Sequence, residues 1–169
     1  MKTREFALLA LFIALVCVAT MIVRIPIPQT NGYMNLGDSM VLLAGVSFGP
    51  FAAFIAGGVG SALADLIGGY PQWALWTLAI KGIEALIAWG LFLSLKLSRG
   101  RITFPQVLVF MLATAWMVLG YFVSECIMYD QKAALAEVPA NIVQASGSVV
   151  LATLLLPVFS RIMSARKAQ

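Results

Sequence analysis

PQWALWTLAIKGIEALIAWG, residues 71–90, decides how the rest of the chain is read. Apart from Lys81 and Glu84 it is the sequence of a helix made for lipid. At about 1.5 Å per residue it reaches roughly 30 Å, the thickness of a bilayer's hydrocarbon layer. A charge at mid-membrane depth costs about 2.5–3.5 kcal/mol or more unless it finds a partner. Two such charges, three residues apart, therefore need a reason to be there.

At 100° per residue, Trp73, Thr77, Lys81, Glu84 and Ala88 fall within one arc of about 80°. Lys81 lies about 13 Å inside the start of this helix and Glu84 about 18 Å. Two readings fit. In one, the i,i+3 pair neutralises itself and pins two helices together. In the other, the arc is the polar wall of a ligand cavity with Trp73 at its mouth, function being the default for intramembrane charges.

The surrounding chain supports a membrane setting. Of the 169 residues 62% are hydrophobic and 11% charged, and several apolar runs of about 18 residues or more recur. The first, from Phe6 to Val23, follows Lys2 and Arg4; with no small-residue cleavage site after it, it reads as a retained helix. Six helices are expected, at about 5–23, 39–48, 51–68, 72–97, 105–129 and 139–163, in one domain over 1–169. Pro26, Pro28 and Gly32 break the first connection into a loop. Asp38 or Ser39 can cap the short second helix, which needs shelter because it covers only about 15–20 Å. Pro139 suits the first turn of the sixth.

Charge sets the orientation. Lys2, Arg4, Lys96, Arg99, Arg101, Arg161, Arg166 and Lys167 fall on one side of a six-span arrangement, against Arg24 and Lys132 on the other. By the positive-inside rule both termini are cytoplasmic. The isoelectric point near 9.3 then reports topology, and no nucleic-acid partner is expected. Histidine is absent, and Cys17 and Cys126 are isolated, so neither a metal site nor a disulfide framework is expected. No phosphate-binding GxxxxGK[ST] loop occurs, so ATP hydrolysis by this chain is not expected.

Two further faces match the fourth helix in depth. Tyr121 and Glu125 stand i,i+4 near the outer end of the fifth helix, with Tyr129 close by. Asn141, Gln144 and Ser148 share a face at the outer end of the sixth. Rings, amides and carboxylates at one depth suit a small, flat, polar heteroaromatic. The plainer readings are interhelical hydrogen bonds for the amides and an interfacial belt for the aromatics. On the third helix Ala53, Gly57, Ser61 and Asp65 form a small-residue stripe, and on the first Ala10 and Ala14 a small-xxx-small pair; both mark close packing, internal or toward another subunit.

The strings NLGDSMVLLAGVSFGP (35–50), SALADLIGGYP (61–71), TLAIKGIEA (77–85) and VPANIVQASG (138–147) together resemble a substrate-binding S component of the energy-coupling factor (ECF) vitamin transporters. The riboflavin and hydroxymethylpyrimidine type is the nearest. The resemblance covers nearly the whole chain. It implies an all-α protein of the cell membrane, without enzymatic activity or cofactor, that captures a vitamin and docks on a transmembrane coupling subunit with two cytoplasmic ATPases. It implies that Ala10 and Ala14 contact the coupling subunit and that the loop from Arg24 to Asp38, with Tyr33 and Asn35, is a lid. Lys81, Glu84, Glu125, Asn141 and Gln144 would face the pocket, beside Trp73, Thr77 and Tyr121. Thiamine-binding members carry a Trp-rich lid and a pocket histidine, both missing here. The resemblance therefore points to hydroxymethylpyrimidine or pyridoxine ahead of riboflavin. A stand-alone secondary transporter, which would show inverted repeats, and a structural membrane subunit are the rival classes. An intramembrane enzyme would rest on Ser124 beside Glu125 alone.

Overall fold

A computed structural model describes residues 3–99 and 102–165; Lys2, Arg101, Arg166 and Lys167 lie outside them. Six helices follow one another: α1 (Thr3–Ile22), α2 (Asp38–Ser47), α3 (Pro50–Gly68), α4 (Ala74–Ser94), α5 (Phe104–Met128) and α6 (Gln131–Ala165). Five are long and apolar enough to cross a membrane, and α2 is too short. Ten residues reach about 15 Å, and the neighbours supply the shelter: Val41, Leu42, Leu43 and Ala44 have no exposed surface.

The boundaries follow local chemistry. Pro50 opens α3, and Gly69, at φ +88°, closes it in the left-handed conformation that glycine adopts without cost. Thr103 and Gln106 form a reciprocal capping box at the start of α5. The small-residue stripe of α3 proves internal. A Cβ on Gly57 would sit 2.9 Å from the Lys81 carbonyl of α4, so the side chain is omitted where two backbones touch.

Two expectations are corrected. The segment YDQKAALAE is not a loop before Pro139: α6 begins at Gln131 and runs through Pro139 and Pro157. The Asp130 carboxylate accepts the N–H groups of Lys132 and Ala133 at 2.7 and 2.9 Å, a side-chain cap that starts a helix of good formers. The connection after α1 is not irregular either. Ile25–Ile27 (β1) and Gly32–Met34 (β2) pair antiparallel, with Pro26 opposite Tyr33. A proline is tolerated there because a two-stranded ribbon leaves every other N–H unpaired. Asn31, at φ +47°, turns the chain between the strands.

The long helices enclose two zones. Toward one end Phe12, Leu42, Phe110 and Leu156 form an apolar core, with Phe12 edge-on to Phe48 at 4.8 Å. Toward the hairpin the interior turns polar.

Candidate functional site

Lys81 is the centre of the polar zone. It stands on α4 with 2% of its surface exposed, and its ammonium pairs with Asp38 at the first residue of α2. Glu84 lies further off, its Oε2 3.5 Å from Nζ. The expectation that Lys81 and Glu84 form the pair is therefore half right: Asp38 is the nearer carboxylate. Its reading as a helix cap is wrong, because Gly37 occupies the cap position with no side-chain bond and the Asp38 side chain turns inward. Its second oxygen accepts Gln144 Nε2 at 2.8 Å. Gln144 Oε1 in turn accepts the Asn35 backbone N–H at 2.8 Å, and Asn35 Oδ1 accepts the Gly37 N–H at 2.8 Å. The loop leaving the hairpin, α2, α4 and α6 are thus joined through one lysine and one amide. Both oxygens of Asp38 are satisfied, as a buried carboxylate requires.

The hairpin covers this zone and is held by α6, by α3 and by the residue that precedes α4. Thr30 donates its hydroxyl to Glu137 of α6. Trp73 Nε1, just before α4, donates to the Asn31 carbonyl at 3.2 Å. Tyr33 donates its phenol to Asp65 Oδ1 of α3 at 2.6 Å, and its ring lies 4.6 Å from Tyr70 and 5.8 Å from the Arg24 guanidinium. Burial first, and the Asp65 carboxylate second, push the Tyr33 hydroxyl above its usual range, so it stays a donor.

Beneath the hairpin is a small polar cavity of about 20 Å³, room for about one water, so a larger occupant requires the hairpin to move. Of the residues the sequence singled out, Tyr33, Asn35, Trp73, Thr77 and Lys81 line it, as do Tyr121, Asn141 and Gln144. Trp73 is not at an open mouth: the hairpin covers it, and its ring lies 5.9 Å from Tyr121 and 6.1 Å from Tyr129. Thr77 and Tyr121 share a hydrogen bond of 3.2 Å between hydroxyls, and the Lys81 ammonium sits 5.2 Å from the Tyr121 ring centre. Glu84 and Glu125 do not line the cavity. Both are fully buried behind it, and Glu125 Oε1 accepts Asn141 Nδ2 at 3.5 Å.

The structure adds residues that the sequence reading left out of the site. Ser61 and Asp65, taken for part of a packing stripe, face the cavity, as do Thr20, Gly32 and Glu137. The rule that flagged Lys81, that an ionisable residue inside an apolar helix marks function, applies equally to Asp65. Ala10 and Ala14, which do not line the cavity, are exposed on α1, beside exposed Leu11 and Val18.

Residues 1–161 match the family of ECF-type riboflavin transporters, S component. A Pyrococcus woesei protein described as "Uncharacterized protein in gap 3'region" is 48% identical over 136 residues, 80% of this chain and 88% of its own length. The thiamine precursor transporter HmpT of Lactococcus lactis is 33% identical over 159 residues, covering 94% of this chain and 89% of that one. A UPF0397 protein of Streptococcus gordonii is 29% identical over 155 residues, or 82% and 78% of the two chains.

Proposed function

We propose, because the chain belongs to the S-component family of ECF-type riboflavin transporters, that it captures a small water-soluble vitamin or vitamin precursor in its polar cavity. With five long apolar helices, this member of the family is a multi-pass integral protein of the cell membrane. The observation that carries the reading is the cluster of buried polar side chains lining a small cavity under a hairpin bonded to α3, to α6 and to Trp73 before α4. A structural subunit has no use for such a cavity in lipid, where each buried polar group is a cost.

The finer reading is this. Residues 1–169 act as a single domain crossing the membrane six times, α2 being carried across by its neighbours, with both termini cytoplasmic. The cavity then opens outward, and the hairpin is its lid. Tyr33, Asn35, Trp73, Thr77, Lys81, Tyr121, Asn141 and Gln144 contact the cargo, with Glu84 and Glu125 setting the charge behind them. The chain is a binding subunit and not an enzyme. Uptake is energised by a separate transmembrane coupling subunit with two cytoplasmic ATPases, met through Ala10 and Ala14. Among cargoes, hydroxymethylpyrimidine, pyridoxine or riboflavin is the class. The Lactococcus relative, described as a thiamine precursor transporter, supports a precursor.

Mass spectrometry of small molecules released from the purified protein should find one such heterocycle. An empty protein whose tryptophan fluorescence responds to none of the three would overturn the reading. Ala14→Trp should abolish ATP-driven uptake in cells while leaving vitamin binding intact. Lost binding with surviving assembly would move the partner surface elsewhere.

A further inference from the structure

We infer that Asp65 and Ser61 on α3 form a subsite for the amino-bearing edge of a nitrogen heteroaromatic, a step that rests on the vitamin-capture reading above. Ser61 and Asp65 are 1% and 3% exposed and one helical turn apart, and both face the cavity. Ser61 Oγ and Asp65 Oδ2 have no hydrogen-bond partner, while Asp65 Oδ1 takes the Tyr33 hydroxyl. The neighbouring Thr77 hydroxyl shares a bond with Tyr121 in which either can donate and also interacts with the Asp65 carboxyl; Asp65 keeps lone pairs beyond those that Tyr33 and Thr77 can fill. Buried acceptors left open are costly, so this corner awaits donors.

Charge narrows the ligand further. Among the described residues, Asp38, Asp65, Glu84, Glu125 and Glu137 are buried against Lys81 as the lone buried cation, and Lys81 is already paired with Asp38. An anionic or acceptor-rich edge would meet uncompensated carboxyls at Asp65. An amino group next to a ring nitrogen instead presents two groups side by side that match a carboxyl. The pair forms two hydrogen bonds whether the shared proton sits on the carboxyl or on the ring. Asp65 Oδ1 has a second lone pair for the amino N–H, and Oδ2 faces the ring nitrogen.

The test uses 4-amino-5-hydroxymethyl-2-methylpyrimidine and its analogue lacking the 4-amino group, with tryptophan quenching of the purified full chain. Wild-type protein should bind the amino compound about ten- to a hundredfold more tightly, the range for a hydrogen bond to a charged group. Asp65→Ala should bring that ratio close to one, and Asp65→Asn, whose carboxamide still accepts an N–H, should restore part of it. Equal binding of the two pyrimidines by wild type overturns the subsite, and that comparison needs no variant to fold. A ratio unchanged in Asp65→Ala assigns the preference elsewhere and overturns it too. Tight binding of pyridoxine or riboflavin alone would sink the subsite and spare vitamin capture; no binding of any of these compounds would sink both.

Discussion

The two halves of the interior are built on opposite economies. Away from the hairpin, Phe12, Leu42, Phe110 and Leu156 fill space with nothing polar to satisfy. In lipid such a core gains from close packing, because the solvent outside is as apolar as the side chains. Under the hairpin, one lysine serves several carboxyls and open acceptors remain at Ser61, Asp65 and Glu125. The contrast teaches where the molecule can be altered without losing its purpose. The apolar half sets the scaffold, and the polar half spends stability on recognition.

The largest effect expected is that of Lys81→Met, which strands two buried carboxylates. It should destabilise by about 3–5 kcal/mol, the range for breaking a buried pair by removing one partner. Thermal unfolding in detergent, followed by tryptophan fluorescence, measures it. Adding Glu84→Met should rescue little, because Asp38 stays unpaired; adding Asp38→Asn should rescue more. The reverse order would make Glu84 the partner that counts and undo the geometry at α2.

Leu42→Ala tests the other half. Its cost should be about 2 kcal/mol, at the low end for a buried leucine, since hydrophobic transfer contributes less in a membrane. Vitamin affinity should not change. A loss of affinity matching the loss of stability would show the halves to be one unit, and the comparison would fail.

The smallest effect belongs to the hairpin. Tyr33→Phe removes the donor to Asp65 and should weaken vitamin binding about tenfold, roughly 1.4 kcal/mol, with little change in melting temperature. The Tyr33 hydroxyl is raised above its ordinary value of 10.0. Its closed-state contribution is therefore whole below pH 10, and it is lost as pH climbs through the raised value. Affinity measured up to alkaline pH should fall in wild type and not further in Tyr33→Phe. A parallel fall in both would place the titrating group elsewhere.

Much of this was legible in the sequence, for reasons that separate local from distant causes. Hydropathy located the long helices because a span must satisfy its own backbone in lipid. The intramembrane-charge rule found Lys81 and Glu84 because burial of charge is costly wherever it occurs. Asp38 was misread because a carboxylate before an apolar run is ordinarily a cap. Its true partners, Lys81 and Gln144, are 43 and 106 residues away. Asp65 was hidden by the alanines and glycines of its own stripe, which do pack against neighbours. The hairpin and the early start of α6 are not legible locally, because Pro26 is a breaker and Pro139 suits a first turn; a ribbon's unpaired position and an Asp130 cap override them.

The burial of α2 has an electrical consequence. Its peptide dipoles add to about half a positive charge at the N-terminus and half a negative charge at the other end. Lodged among neighbours from Asp38 to Val46, the helix keeps that field from being screened by water. The negative end is met by Arg99, whose Nε donates to the Val46 carbonyl. The positive end points at the carboxyl-rich cavity and supplements its single lysine. A ten-residue helix too short to cross the membrane alone thus serves as a fixed battery, with its positive terminal at the site.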